Sequence, residues 1–144
     1  MSNDDSGRIQ FKYKVLADDY NAVGSASSDA KNKLRAIGVP PDILRKVSIC
    51  MYEGEINMVI HAKGGEITVN INPSCVEMIL KDVGPGIKDV DKAMQAGYST
   101  ATDDVRNLGF GAGMGLPNML KNSDSMHIDT EIGVGTTITM TVNL

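Results

Sequence analysis

Gly109-Phe110-Gly111-Ala112-Gly113-Met114-Gly115-Leu116 places four glycines at a spacing of two, entering a helix-like stretch. Successive exposed backbone N–H groups at a helix start favour phosphate oxygens, so the run points to a phosphate-bearing ligand. It is not a Walker loop, because no Lys-Ser or Lys-Thr follows, and it does not follow the first strand of a βαβ unit as a dinucleotide fingerprint should. A second run, Asp82-Val83-Gly84-Pro85-Gly86-Ile87, comes directly after a strand-like segment. Its acid can accept a hydrogen bond from an amino group and its glycines let backbone approach a ligand; the plainer alternative is a tight turn. The third feature is a stripe. Glu53, Asn57 and His61 recur every four residues and stack along one side of a helix. The rest of that helix is apolar nearly all round, the mark of a buried helix, so the stripe either has partners or is an ordinary solvent-facing edge.

Regular elements must position these residues, and the hydrophobic periods supply them. Ile9, Phe11, Tyr13 and Val15 alternate with Gln10, Lys12 and Lys14, the period of a half-buried strand. Asp19 to Ile37 reads as a helix closed by a left-handed Gly38, and Pro40-Pro41-Asp42 opens a second that runs to about Ala62 and is ended by Gly64-Gly65. Glu66 to Asn72 and Ser74 to Lys81 read as a hairpin turning at Asn72-Pro73, with Ile67, Val69 and Ile71 on one face, as are Val76, Met78 and Leu80. Lys88 to Gly97 predicts a short helix and Tyr98 to Leu108 a mobile lid over a site. Leu116 to Lys121 continues as a helix, and Ser125 to Glu131 with Thr136 to Asn143 closes the chain as a hairpin with Ile138, Met140 and Val142 inward. This order predicts an α/β two-layer sandwich, a mostly antiparallel mixed sheet covered on one face by helices.

Composition narrows the class. The 144 residues are 42% hydrophobic and 22% charged, which excludes disordered and fibrous chains and predicts a flexible tail over 1–7 and a single domain over 8–144. A net charge of -4 argues against a nucleic-acid partner. No apolar run approaches the roughly 18–20 residues of a membrane helix, and MSNDDSGR does not read as a signal peptide, so the expectation is a cytoplasmic protein with no membrane partner. Aromatics are 4% and Trp is absent, so base or sugar stacking is disfavoured and the nine methionines are expected as core filler. Cys50 and Cys75 form no CxxC and are expected to be buried apolar positions.

Taken together in their order, Glu53…Asn57, Asp82-x-Gly84-x-Gly86 and Gly111-x-Gly113-x-Gly115-Leu116 resemble the GHKL (Bergerat-fold) ATPase superfamily over about residues 8 to 143. Gly135-Thr136-Thr137 matches that superfamily's late GT element. Within it, the chain is most similar to the anti-sigma-factor and stressosome switch-protein serine/threonine kinases, above all from Asp82 to Thr100.

The resemblance implies ATP and Mg²⁺ as cofactors and a role for each matched residue. Asn57 would hold Mg²⁺ bridging the phosphates, and Glu53 would be the general base for an attacking hydroxyl. Asp82 would accept the adenine amino proton with Thr137 in support, Gly84 and Gly86 would let backbone pack on the nucleotide, and Gly111, Gly113, Gly115 and Leu116 would form the phosphate-facing lid and helix start. His61 is expected to make structural hydrogen bonds. The acid at position 53 suits a weak hydroxyl nucleophile better than an imidazole, and the chain lacks the phosphoacceptor helical domain of a sensor histidine kinase. The implied function is an ATP-dependent serine/threonine protein kinase that phosphorylates a small antagonist (anti-anti-sigma-like) protein in partner switching. It would bind a sigma factor or signalling enzyme in one state, and a homodimer is one arrangement open to it. The alternatives are an ATP-binding anti-sigma or signalling module that sequesters its partner without phosphotransfer, and a detached histidine-kinase ATPase domain, which Glu53 disfavours.

Overall fold

Strict alternation builds the sheet. In the computed structural model, which describes residues 9–95 and 115–144, β1 (Ile9–Leu16), β2 (Gly64–Ile71), β3 (Cys75–Asp82), β4 (Ser125–Glu131) and β5 (Gly135–Asn143) form one five-stranded sheet in the order β1-β2-β3-β5-β4. Every pairing is antiparallel. Two tight hairpins, β2–β3 and β4–β5, supply two of the four pairings, and β1–β2 and β3–β5 join strands distant in sequence, with β5 filling the slot between β3 and β4. Ile67, Val69, Val76, Met78, Met140 and Val142 are fully buried on the face covered by helices. The opposite face carries Lys14, Glu66, Lys81, Thr137 and Asp129 side by side as one rung across all five strands.

The helices are α1 (Ser25–Ala36), α2 (Pro41–Ile60), α3 (Val90–Ala93) and α4 (Gly115–Lys121). Pro41 occupies the first turn of α2, where a missing N–H costs nothing. The α1 terminus closes as the sequence predicts: Val39 N–H reaches Leu34 O and Gly38 N–H reaches Arg35 O, with Gly38 at φ +95° and Val39 and Leu34 both buried. Its start differs. The predicted helix from Asp19 is a short 3-10 turn over Tyr20–Ala22, broken by Gly24 before α1 begins. Gly64-Gly65 also departs from expectation: α2 already ends at Ile60, and the two glycines open β2.

Packing places α2 close on the sheet. A Cβ at Gly54 would lie 2.0 Å from Leu80 Cδ2 and 3.8 Å from Met119 Sδ, so the bare glycine lets α2 settle against β3 and α4 together. Met51, Met58, Met78, Met119 and Met140 are all buried, in keeping with methionine as filler of an aliphatic core. Cys50 is buried, its thiol pushed up to about 12 by that burial. Cys75 is only half-buried, because it opens β3 with the parity of Glu77 and Lys81 on the helix-free side.

Candidate functional site

The stripe on α2 has partners. Glu53 and Asn57 are half-buried, and both meet α4. A Cβ on Gly115 would lie 3.0 Å from Asn57 Nδ2 and 3.1 Å from its Oδ1, tighter than ordinary contact, so the bare glycine lets the start of α4 sit close over that carboxamide. Three residues on, Asn118 Nδ2 donates to Glu53 Oε2 at 2.9 Å. His61 caps α2, its main-chain N–H donating to Asn57 O at 2.9 Å. Leu116, next to Gly115, is buried in the core and anchors the α4 start. Gly111, Gly113 and the proposed lid over Tyr98 to Leu108 lie outside the described residues.

The second part forms at the end of β3. Asp82 is the last residue of that strand, and its Oδ1 accepts the Thr136 N–H at 2.8 Å. Among the described residues, Oδ2 has no donor. Burial pushes the Asp82 carboxyl above the usual aspartate range, and the Thr136 N–H pulls it partly back. Main-chain bonds stitch the following loop to its surroundings: Lys63 N–H to Val83 O, Gly84 N–H to Val134 O, Gly133 N–H to Pro85 O. Ile87 N–H donates to Thr130 Oγ1 at 2.9 Å, and Thr130 and Thr136 share a hydroxyl contact at 2.9 Å.

Strand parity separates two neighbours that sequence alone does not. Thr136 is 5% exposed and lies on the same face as Asp82. Thr137, the residue singled out by the sequence, lies on the opposite face, paired with Lys81 and Asp129. The structure therefore does not bring Thr137 to Asp82; it brings Thr136. Gly84 and Gly86 meet protein too. A Cβ at Gly84 would be 2.9 Å from Ala62 Cβ, and one at Gly86, at φ +79°, would be 2.6 Å from Glu131 O. Both glycines are required by the loop's own packing against the end of α2 and the β4–β5 turn.

Two polar residues escaped the sequence reading. Asn118 sits one helical turn after Gly115, and nothing local marks it as the partner of an acid 65 positions earlier. Glu55, on another side of α2 from Glu53, is 3% exposed and accepts N–H bonds from Gly24 at 3.0 Å, Ala26 at 3.3 Å and Ser27 at 3.2 Å. It caps α1 from a distance, because Gly24 at the N-cap has no side chain to do so.

His61 gives the site a pH signature. Burial holds its imidazole below the ordinary 6.5, so the unfolded chain gains a proton before the native one does. The stability tied to a neutral His61 is full above that value and is lost as pH falls. Asp82 works in the opposite sense, because its raised carboxyl takes up a proton in the native state first. His61→Asn should therefore lose less stability than the parent between about pH 7.5 and 5.5, by at most about 1.4 kcal/mol per pH unit. Urea unfolding midpoints across that range measure it, and parallel curves for parent and variant would contradict it.

The fold and this site define a histidine kinase-like ATPase domain: that family's profile matches residues 16–142, and the chain belongs to it. Within the family it stands on the anti-sigma branch of the GHKL kinases. It is 34% identical over 102 residues to an anti-sigma F factor of Caldanaerobacter subterraneus subsp. tengcongensis, covering 66% of this chain and 66% of that one. An anti-sigma F factor of Thermoanaerobacter pseudethanolicus is 32% identical with the same coverage. The serine/threonine-protein kinase RsbT of Bacillus subtilis is 26% identical over 142 residues, covering 96% of this chain and 95% of that one. The chain thus spans about two thirds of the anti-sigma F factors it matches and nearly all of the kinase. Among the described residues no helix is long and apolar enough to cross a membrane.

Proposed function

We propose that this protein is an ATP-dependent serine/threonine kinase of the anti-sigma regulatory type, a single domain acting on a small antagonist protein. The observation that carries the reading is the meeting of α2 and α4, where Glu53 and Asn57, one turn apart, lie against Asn118 and Gly115. The name of RsbT supports the hydroxyl acceptor, and the names of the anti-sigma F factors support a sigma factor as a regulated partner.

Asn57 Oδ1 is suited to Mg²⁺, which takes one or two protein oxygens and completes its shell with phosphate oxygens and water. Among the described residues no three acidic, His or Cys side chains converge, so the donor set fits a phosphate-dependent ion better than an all-protein cage. Held there by Asn57, Mg²⁺ would supply neutralisation of the phosphate charge. The substrate hydroxyl oxygen attacks the γ-phosphorus, the bond to the β,γ-bridging oxygen breaks with its electron pair leaving on ADP, and Glu53 takes the hydroxyl proton.

Adenine recognition falls to Asp82 and Thr136 in this reading, with Thr136 replacing Thr137. Thr136 N–H already occupies Oδ1, so Oδ2 accepts the adenine amino proton. In Asp82→Asn, the same N–H would hold the amide oxygen and turn the NH₂ toward the ligand. A donor would then face a donor, so ATP affinity should fall on the order of 10–100-fold while GTP, with an acceptor at that position, loses less. Thr137→Val, on the opposite face of the sheet, should leave ATP binding unchanged. Thermal-shift titrations with both nucleotides read this directly. An unchanged ATP-to-GTP preference in Asp82→Asn would remove Asp82 from the adenine site.

A further inference from the structure

Helix α4 meets α2 twice. Gly115 lies against Asn57, and Asn118 donates to Glu53, so residues three apart on α4 match residues four apart on α2. The contact rests on a firm base. Met119, beside Asn118, is fully buried; its carbonyl accepts from Cys50 Sγ at 3.6 Å, and its sulfur lies near Gly54. Asn118 O also accepts from Asn122 N–H at 3.1 Å and from Asn122 Nδ2 at 2.9 Å, which fixes the backbone that carries the amide.

We propose that Asn118 is a positioning residue for Glu53, holding its carboxylate in the rotamer that takes the substrate proton. With Oε2 committed to the Asn118 amide, Oε1 is the oxygen left for the hydroxyl, and the base is oriented by the same helix that begins over Asn57. A proton transfer needs its acceptor within hydrogen-bond reach and in line, so a carboxylate free to rotate loses rate without losing ligand. This rests on the kinase reading above.

Single-turnover transfer from γ-labelled ATP to a small antagonist-domain protein, with Mg-ATP dissociation constants measured alongside, tests it in the parent, Asn118→Ala, Asn118→Asp, Glu53→Gln and the Asn118→Ala/Glu53→Gln pair. Asn118→Ala should slow transfer about tenfold while ATP affinity stays within about twofold. Asn118→Asp keeps the shape but sets two carboxylates face to face, and should be slower still. In the Glu53→Gln background, Asn118→Ala should cost nothing further, because there is no base left to orient. Transfer by Asn118→Ala within about twofold of the parent, or a full cost retained without Glu53, would overturn the assignment. Absence of transfer by the parent would overturn the kinase reading and this assignment with it. Transfer by the parent that is lost in Glu53→Gln and kept in Asn118→Ala would overturn this assignment alone.

Discussion

Glu53→Gln should bind Mg-ATP as the parent does and transfer phosphate slower by on the order of 10²–10⁴, the usual share of a positioned general base. The variant keeps the local structure, because a glutamine oxygen can still accept the Asn118 amide that now bonds Glu53 Oε2. Only the ability to take a proton is removed. Asn57→Ala should behave differently, losing Mg-dependent binding and transfer together. In the proposed reaction its oxygen would be needed whenever Mg²⁺ is bound, whereas the carboxylate would be needed only as the hydroxyl proton leaves. Calorimetric binding and single-turnover transfer separate the two variants. If Glu53→Gln keeps transfer within about tenfold of the parent, the base lies elsewhere.

The largest effect on stability should come from a residue remote from that chemistry. Glu55 is buried and is the acceptor for three main-chain N–H groups around the start of α1. Glu55→Ala leaves those donors without their partner and opens space beneath Ala26, so unfolding free energy should fall by about 2–3 kcal/mol. The neighbouring cleft, lined by Tyr13, Asp19, Ser25 and Asp29 among others, lets water recover part of the loss. Glu55→Gln should fall between parent and alanine, since one of its two terminal atoms becomes a donor facing a donor. Urea unfolding without nucleotide measures both. A loss below about 0.5 kcal/mol in Glu55→Ala, the range of an ordinary surface change, would show that the cap is dispensable.

What was legible in the sequence was whatever repeats over short distances. Ile67-x-Val69 and Ile138-x-Met140-x-Val142 declare their strands by alternation, and Glu53…Asn57 declares a shared helix face by its spacing of four. The Asn72-Pro73 turn holds for a local reason: Asn72 Oδ1 accepts the N–H groups of Ser74 at 2.7 Å and Cys75 at 3.0 Å. The readings that failed depend on parity or on distant pairing. In Gly135-Thr136-Thr137 either threonine could face the site, and a shift of one residue reverses the face; the Thr136–Asp82 bond decides it across 54 positions. Asn118 and Glu55 act on partners in other elements, so neither leaves a local pattern. The early end of α2 and the start of β2 at Gly64 likewise follow from pairing with Leu16 of β1, a long-range contact.

In the proposed reaction this chain moves the γ-phosphate of ATP to a hydroxyl on a small partner protein. That transfer is tested most directly by incubating the purified chain with Mg²⁺, γ-labelled ATP and candidate antagonist-domain proteins, then mapping the label by mass spectrometry. Label is expected on a serine or threonine of such a protein with the parent, and should be lost with Glu53→Gln. Tight ATP binding by the parent with no label on any of these proteins would contradict the proposed reaction and leave an ATP-dependent module that sequesters its partner.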